Sequence, residues 1–253
     1  MFEGIFYFHI YDMEYNIVAL DPSLISTALV VSSGSTFKMI NYCRESSASG
    51  KTGLKKWFKM AEQYVSYRYI EYREFKDYSE GEITKLKDYD KITDGIIEDI
   101  LAEIDPKKPT KIGIEGYSFS STAGDIIDLV TFSTLLRKKL FDRVSHDITV
   151  MSPSTLKLES CKLTYAPIIT ETGKKKKTQK VEYRNGLGIS GGKFTKTDMF
   201  MAIVENSEMD DYWTKHCKLS KADIFGVATI PKPYEDVNDA FLIYCVLKKE
   251  SQR

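Results

Sequence analysis

Residues 17–42 read IVALDPSLISTALVVSSGSTFKMINY, and the fold turns on how this stretch is read. Ile17 to Leu20 is a short apolar run closed by Asp21-Pro22-Ser23, the pattern of a buried strand ending on a turn. A second apolar run spans Thr27 to Val31. The turn Ser32-Ser33-Gly34-Ser35 leads into a third strand-like segment, Phe37 to Tyr42. A connection this short favours an antiparallel hairpin. The chain is therefore predicted to open with a three-stranded meander whose first strand delivers a carboxylate, Asp21, to its C-terminal end.

Outward from this meander the periodicity changes. From Gly53 to about Phe75 apolar residues recur at spacings of three and four (Leu54, Trp57, Phe58, Ala61, Tyr64, Val65), which predicts a helix. Residues 78–82 read as a loop and Thr84 to Ile104 as a second helix, ended by Pro106 to Pro109 because proline cannot continue the hydrogen-bond ladder. Lys111 to Glu115 is a short strand that again ends on a carboxylate. Ser121 to Phe141 is an amphipathic helix with a broad apolar face. Ile148 to Met151 is a strand, followed by Ser152-Pro153-Ser154, a helix-start sequence. Residues 162–192 break the pattern and read as a mobile loop or small hairpin inserted into the domain. Thr197 to Val204 and Asp236 to Lys248 are helical. Strands first, then helices alternating with strands, make an α/β order with mixed strand directions. The expected organisation is one domain over 1–253, with an N-terminal extension (1–15), a helical insertion (about 53–105) and a basic insertion (about 162–192).

Composition narrows the functional classes. The 253 residues carry 36 Lys plus Arg against 36 Asp plus Glu, with 42% hydrophobic and 12% aromatic content, which excludes wholesale disorder. No stretch approaches the roughly 18 uncharged apolar residues of a membrane span. The N-terminus lacks the basic region of a signal peptide, and a cytoplasmic location (the host's, if viral) is expected. The 4 cysteines form no CxxC pair, and of the 3 histidines only His216 neighbours one, Cys217, too few ligands for zinc, so a zinc site is not expected and the thiols are read as reduced and mostly buried. Metal chemistry would run on oxygen ligands, which suits Mg²⁺ or Mn²⁺.

Those oxygens have candidates. Asp21 and Glu115 each end a strand, where side chains of neighbouring strands converge in α/β sheets. Asp236 and Asp239 form a DxxD pair whose i, i+3 spacing puts both on one helix face. Taken singly, Asp21 before Pro22 also starts a turn, Glu115 also suits a strand end at the surface, and the DxxD pair also suits a helix cap. Taken together, four carboxylates meeting in one place would repel one another and raise their pKa values. Two divalent cations roughly 4 Å apart remove that cost and act on a phosphodiester.

The segments ALDPS (19–23), IEGYSF (114–119) and DVNDA (236–240) resemble the three active-site segments of the RuvC family of Holliday junction resolvases, within the RNase H-like superfamily. With the helix after Glu115 and the segment MSPSTLK (151–157), the phrasing is most similar to the RuvC-like resolvases of bacteriophages. The resemblance covers about Ile17 to Leu247, inserts excepted. It implies an RNase H-like mixed five-stranded sheet flanked by helices, and a homodimeric Mg²⁺-dependent endonuclease, with two ions per site and Mn²⁺ as a substitute. Such an enzyme cuts four-way junctions and other branched DNA by paired nicks in recombination and repair. Asp21, Glu115, Asp236 and Asp239 would be the metal ligands, and Lys196 the basic residue beside the scissile phosphate, with Lys157 a second match. Tyr117 and Phe119 would supply the aromatic wedge, Phe119 standing one position further along than in the bacterial enzymes. The helix after the glutamate would form the dimer interface.

Between Thr172 and Lys196 lie eight basic residues (Lys174, Lys175, Lys176, Lys177, Lys180, Arg184, Lys193, Lys196) against one acid, Glu182. Such a segment neutralises several phosphates, or is a solvated loop. The tyrosines around Tyr64, Tyr67, Tyr69 and Tyr72 read as packing residues rather than base-stacking ones. Two other functions fit the pattern less well. An actin- or sugar-kinase-like ATPase shares the opening but needs a glycine turn that residues 22–27 lack, and an inactive DNA-binding protein would not need four acids.

Overall fold

Strand β1 (Asn16–Asp21) is completely buried and alternates its side chains between two cores. Ile17 and Ala19 face one, Val18 and Leu20 the other, as the period of two in a strand requires. Strand β2 (Ser26–Ser33) runs antiparallel to β1, and β3 (Thr36–Arg44) antiparallel to β2. The two-residue connection between β2 and β3 carries Gly34 at φ 53°, a left-handed conformation that glycine adopts without steric cost. The predicted meander is present. The structure, a computed structural model, describes residues 14–44, 52–71, 75, 77–117, 123–172, 178–183, 194–206, 212–227 and 229–251.

On the other side of β1, strand β5 (Thr110–Glu115) pairs parallel to it, and β6 (Ile148–Met151) parallel to β5. Among the described residues the sheet has six strands rather than the expected five, in the order β4-β3-β2-β1-β5-β6. The extra one, β4 (Val65–Ile70), pairs parallel to β3 at the edge and lies in the stretch read as helical. The helix there, α1 (Thr52–Ala61), ends before it.

Helices cover both faces. On one, α2 (Tyr78–Glu103) and α3 (Ala123–Arg143) bring Ile96, Ile97, Ile100, Phe132, Leu136 and Leu140 against Val18, Leu20, Leu29 and Ile114. Ion pairs of Lys85 with Asp128 and of Lys139 with Asp94 join these two helices. Helix α2 starts at Tyr78, where a loop was expected. Asp77 caps it by accepting a hydrogen bond from the Glu80 amide at 3.0 Å. On the opposite face lie α1, α4 (Pro153–Thr164), α5 (Lys196–Glu205), α6 (Tyr212–Phe225) and α7 (Tyr234–Ser251). Helix α6 falls where the sequence pattern predicts no element. In the stretch after α4, β7 (Pro167–Thr172) and β8 (Thr178–Tyr183) form an antiparallel hairpin.

All four cysteines are buried, as expected, and burial pushes the thiols of Cys43 and Cys161 up to about 12. Tyr64 stacks on His216 and packs against Trp213, a packing role in keeping with its reading. Among the described residues no helix is long and apolar enough to cross a membrane.

Candidate metal centre

Glycine at position 113 sets how close the last helix lies to the sheet. A methyl group there would overlap Ile243 Cγ2 and come within 2.8 Å of Leu247 Cδ1, so α7 rests directly on the β5 backbone. Ile243 and Leu247 lie four and eight residues beyond Asp239, on the same stripe of the helix. The close seat of α7 on β5 therefore carries the acidic start of the helix to the C-terminal ends of β1 and β5. The alternation that sends Ile17 and Ala19 toward α7 sends Asp21 the same way, and the register of β5 does so for Glu115.

One carboxylate oxygen from each of Asp21, Glu115 and Asp239 lies within 4.8 Å of the other two. Asp21 and Asp239 are buried at 7% and 2% exposure, and Glu115 is half-buried. Burial, then the charge of Glu115, raises the Asp21 carboxyl well above the usual carboxylate range. Burial, then repulsion from Asp21, pushes Asp239 up to about 7 despite a nearby lysine. Glu115 is raised by burial, with a contribution from Asp239, against the opposing effect of its hydrogen bond with Asp21. Without a cation the three do not hold full negative charge at neutral pH without cost.

Asp236 stands beside this group rather than in it. It lies in the first turn of α7, which begins at Tyr234, so it is not the helix cap. Its Oδ2 accepts a 2.6 Å hydrogen bond from Ser26, and its Oδ1 one of 2.8 Å from Lys232. Its charge reaches both Asp21 and Asp239.

The lysines divide cleanly. Lys196 is the first residue of α5, held there by a capping box in which Thr195 and Asp198 satisfy each other's backbone amides. Its ammonium contacts Asp239, and although burial opposes the charge, Asp239, Asp21 and Glu115 hold it above the ordinary lysine range. Lys157, on α4, sits near enough to Glu115 to favour its ionised form. Tyr117 is half-buried, its hydroxyl 3.1 Å from Thr134 Oγ1 and its ring under the Arg137 guanidinium at 4.4 Å. Arg137 also donates to the Glu115 carbonyl at 3.2 Å, which ties the end of β5 to α3. Phe119, Lys174 to Lys177 and Lys193 lie outside the described residues.

The sequence reading missed four residues around the acids: Ser26, Asn41, Lys232 and Arg137. Ser26 and Asn41 carry a signal in retrospect, as polar side chains in otherwise apolar strands, and Lys232 stands four positions before Asp236. Arg137 offers none, because an arginine on a helix is ordinarily a solvent-facing residue.

The donor set fits a hard divalent cation. An octahedral Mg²⁺ at about 2.1 Å from its ligands needs oxygens roughly 3.0–4.2 Å apart. Three carboxylate oxygens within 4.8 Å reach that with side-chain adjustments of under an ångström. Their raised pKa values have the sign that such an ion would reverse.

No protein-family model matches the chain, and no curated protein matches it. Among solved structures it is similar to T. thermophilus RuvC in complex with a Holliday junction substrate, with a TM-score of 0.45 at 8% identity, over 94% of this chain and 95% of that one. It is also similar to a second Thermus thermophilus RuvC structure, with a TM-score of 0.42 at 9% identity and the same coverage.

Proposed function

We propose that this chain is a divalent-cation-dependent endonuclease that resolves four-way junctions and related branched DNA by paired, symmetric nicks. The observation that carries the reading is the convergence of Asp21, Glu115 and Asp239, from three distant segments, into one buried oxygen cluster. Asp21, Glu115, Asp239 and Asp236 would hold two Mg²⁺ ions, with Mn²⁺ able to replace them. When bound, such ions supply an activated water and charge neutralisation at the leaving 3′ oxygen. Lys196 would meet a non-bridging oxygen of the scissile phosphate, since its ammonium already sits at the edge of the acidic cluster. Lys157 would bind an adjacent phosphate.

The basic segment 174–193 would track the DNA backbone outside the site. Tyr117, backed by Arg137, would present a ring edge to the junction, with Phe119 as the wedge. Paired nicks need two sites related by symmetry, which a two-fold dimer matches to a near two-fold junction. Helix α3 would form that interface, because Ile127 is 65% exposed and its neighbours Ile126 and Val130 are only half-buried. The similarity of the acidic segments to phage resolvases points to the debranching of replicated DNA.

The test is cleavage of four-way, three-way, flap and linear duplex substrates by purified protein in Mg²⁺, resolved on gels. Symmetric nicks in the four-way junction, with linear duplex left intact, are expected. Equal cutting of all four substrates, or of none, would refute the proposal.

A further inference from the structure

Asp236 is the one proposed ligand whose two oxygens are both already engaged. Ser26 Oγ lies 2.6 Å from Oδ2, and Asn41 Nδ2 lies 3.0 Å from Ser26 Oγ. A serine hydroxyl has a single proton to give. Asn41 therefore donates to Ser26, and Ser26 donates to Asp236. All three residues are buried, so the chain from β3 through β2 to α7 is shielded from water and holds the carboxylate oxygen as an acceptor.

The other oxygen, Oδ1, faces Lys232 at 2.8 Å. This side of the contact is different in kind. The Lys232 side chain is 37% exposed where that of Asp236 is 6%, so the ammonium reaches in from solvent and has a way back out. Asp236 is thus pinned on one side by neutral groups and capped on the other by a removable positive charge. It also stands close enough to Asp21 and Asp239 for its charge to act on both.

We propose that Lys232 serves as a stand-in cation for Asp236, which joins the other three carboxylates in holding a second divalent ion only after the ammonium swings to solvent. Ser26 and Asn41 are positioning residues that keep Asp236 aimed at the site while this exchange occurs. The proposal rests on the divalent-cation reading above. It makes the two ions unequal: the first finds Asp21, Glu115 and Asp239, and the second must displace Lys232.

The experiment is Mn²⁺ titration of the whole protein without DNA, by calorimetry and by the electron paramagnetic resonance of free Mn²⁺. The wild type is expected to take up Mn²⁺ in two unequal steps. The second ion must break this partly exposed ion pair before it binds, a cost of up to about tenfold in affinity. Lys232→Gln should therefore tighten the second step by up to about tenfold and leave the first unchanged, while Lys232→Arg keeps the wild-type gap. Ser26→Ala, which leaves Lys232 in place, should weaken the second step alone. A second step that Lys232→Gln leaves unchanged or weakens overturns the stand-in role. One that Ser26→Ala leaves unchanged overturns the positioning role. A wild type that takes up a single Mn²⁺ sinks this inference while leaving the metal reading intact, whereas a wild type that binds no Mn²⁺ ends both.

Discussion

Adding one methyl group at position 113 tests whether the seat of α7 on β5 builds the site. In Gly113→Ala the new Cβ overlaps Ile243 Cγ2 and lies 2.8 Å from Leu247 Cδ1, where ordinary contact begins near 3.4 Å. Ile243 is β-branched and within a helix, so its χ1 has little freedom to turn the methyl away. The helix itself must move by a fraction of an ångström or more. Overpacking of this kind costs roughly 1–3 kcal/mol. For a chain of this size each kcal/mol is worth roughly 2–4 °C, so thermal denaturation followed by circular dichroism should show a fall of about 2–12 °C. Because Asp239 rides on the same stripe of helix, cleavage should suffer as well. A displacement near 1 Å costs on the order of a hundredfold in rate. The double variant Gly113→Ala/Ile243→Ala removes the overlapping methyl, so its destabilisation should be smaller than the sum of the two single effects. An unchanged melting temperature in Gly113→Ala, or strict additivity in the cycle, would refute the account of how the helix is placed.

Two further outcomes are expected. The Asp239 carboxyl is raised to about 7 in the folded state, so its contribution to stability is fully present at low pH and is lost as pH rises through 7. In EDTA this share is a loss on the order of 3 kcal/mol between pH 5 and 8, read as the difference in pH slope between wild type and Asp239→Asn, because burial lowers His216 to about 4 and its own share rises over the same window. Asp94 and Asp99, whose pKa values are lowered, vary only below this window. Mg²⁺ should restore the melting temperature at pH 8 and change it little at pH 5; a pH-independent melting temperature that Asp239→Asn leaves alone would count against the cluster. Neutralising Lys174 to Lys177 should weaken junction binding and reduce the slope of log K against log salt by up to about four, one unit per lost phosphate contact. An unchanged slope would make the run an ordinary solvated loop.

How much of this was legible in the sequence depended on whether burial and hydrophobicity coincided. The meander was readable because Ile17 to Leu20 and Ala28 to Val31 are unbroken apolar runs. Strand β4 was not, because Trp57, Phe58, Ala61, Tyr64 and Val65 keep a helical spacing across the true end of α1 at Ala61. The change to a strand begins only at Val65, at a half-exposed edge with no glycine or proline to mark it. Helix α6 was missed for the opposite reason. Its buried positions, Trp213, His216, Cys217, Ser220 and Ile224, follow a helical period, but several are small or polar, so hydrophobicity alone does not reveal them. The start of α2 was available in the D-x-x-E pattern of Asp77 and Glu80, which the local polarity masked.

The acids were legible because they sit where strand ends and a helix start must bring charge together. Their unequal standing was not. Nothing in DVNDA distinguishes Asp239, which closes the cluster, from Asp236, which Ser26 and Lys232 hold beside it. That difference arises from residues on β2 and in the segment before α7, placed by packing rather than by local pattern.

One comparison bears most directly on whether these side chains are a catalytic metal site. Asp21→Asn changes a single oxygen to an amide nitrogen at the centre of the cluster and leaves the packing volume nearly constant. Wild type and variant should bind a four-way junction equally in Ca²⁺, and only the wild type should nick it in Mg²⁺. Full Mg²⁺-dependent cleavage by the variant would contradict the account.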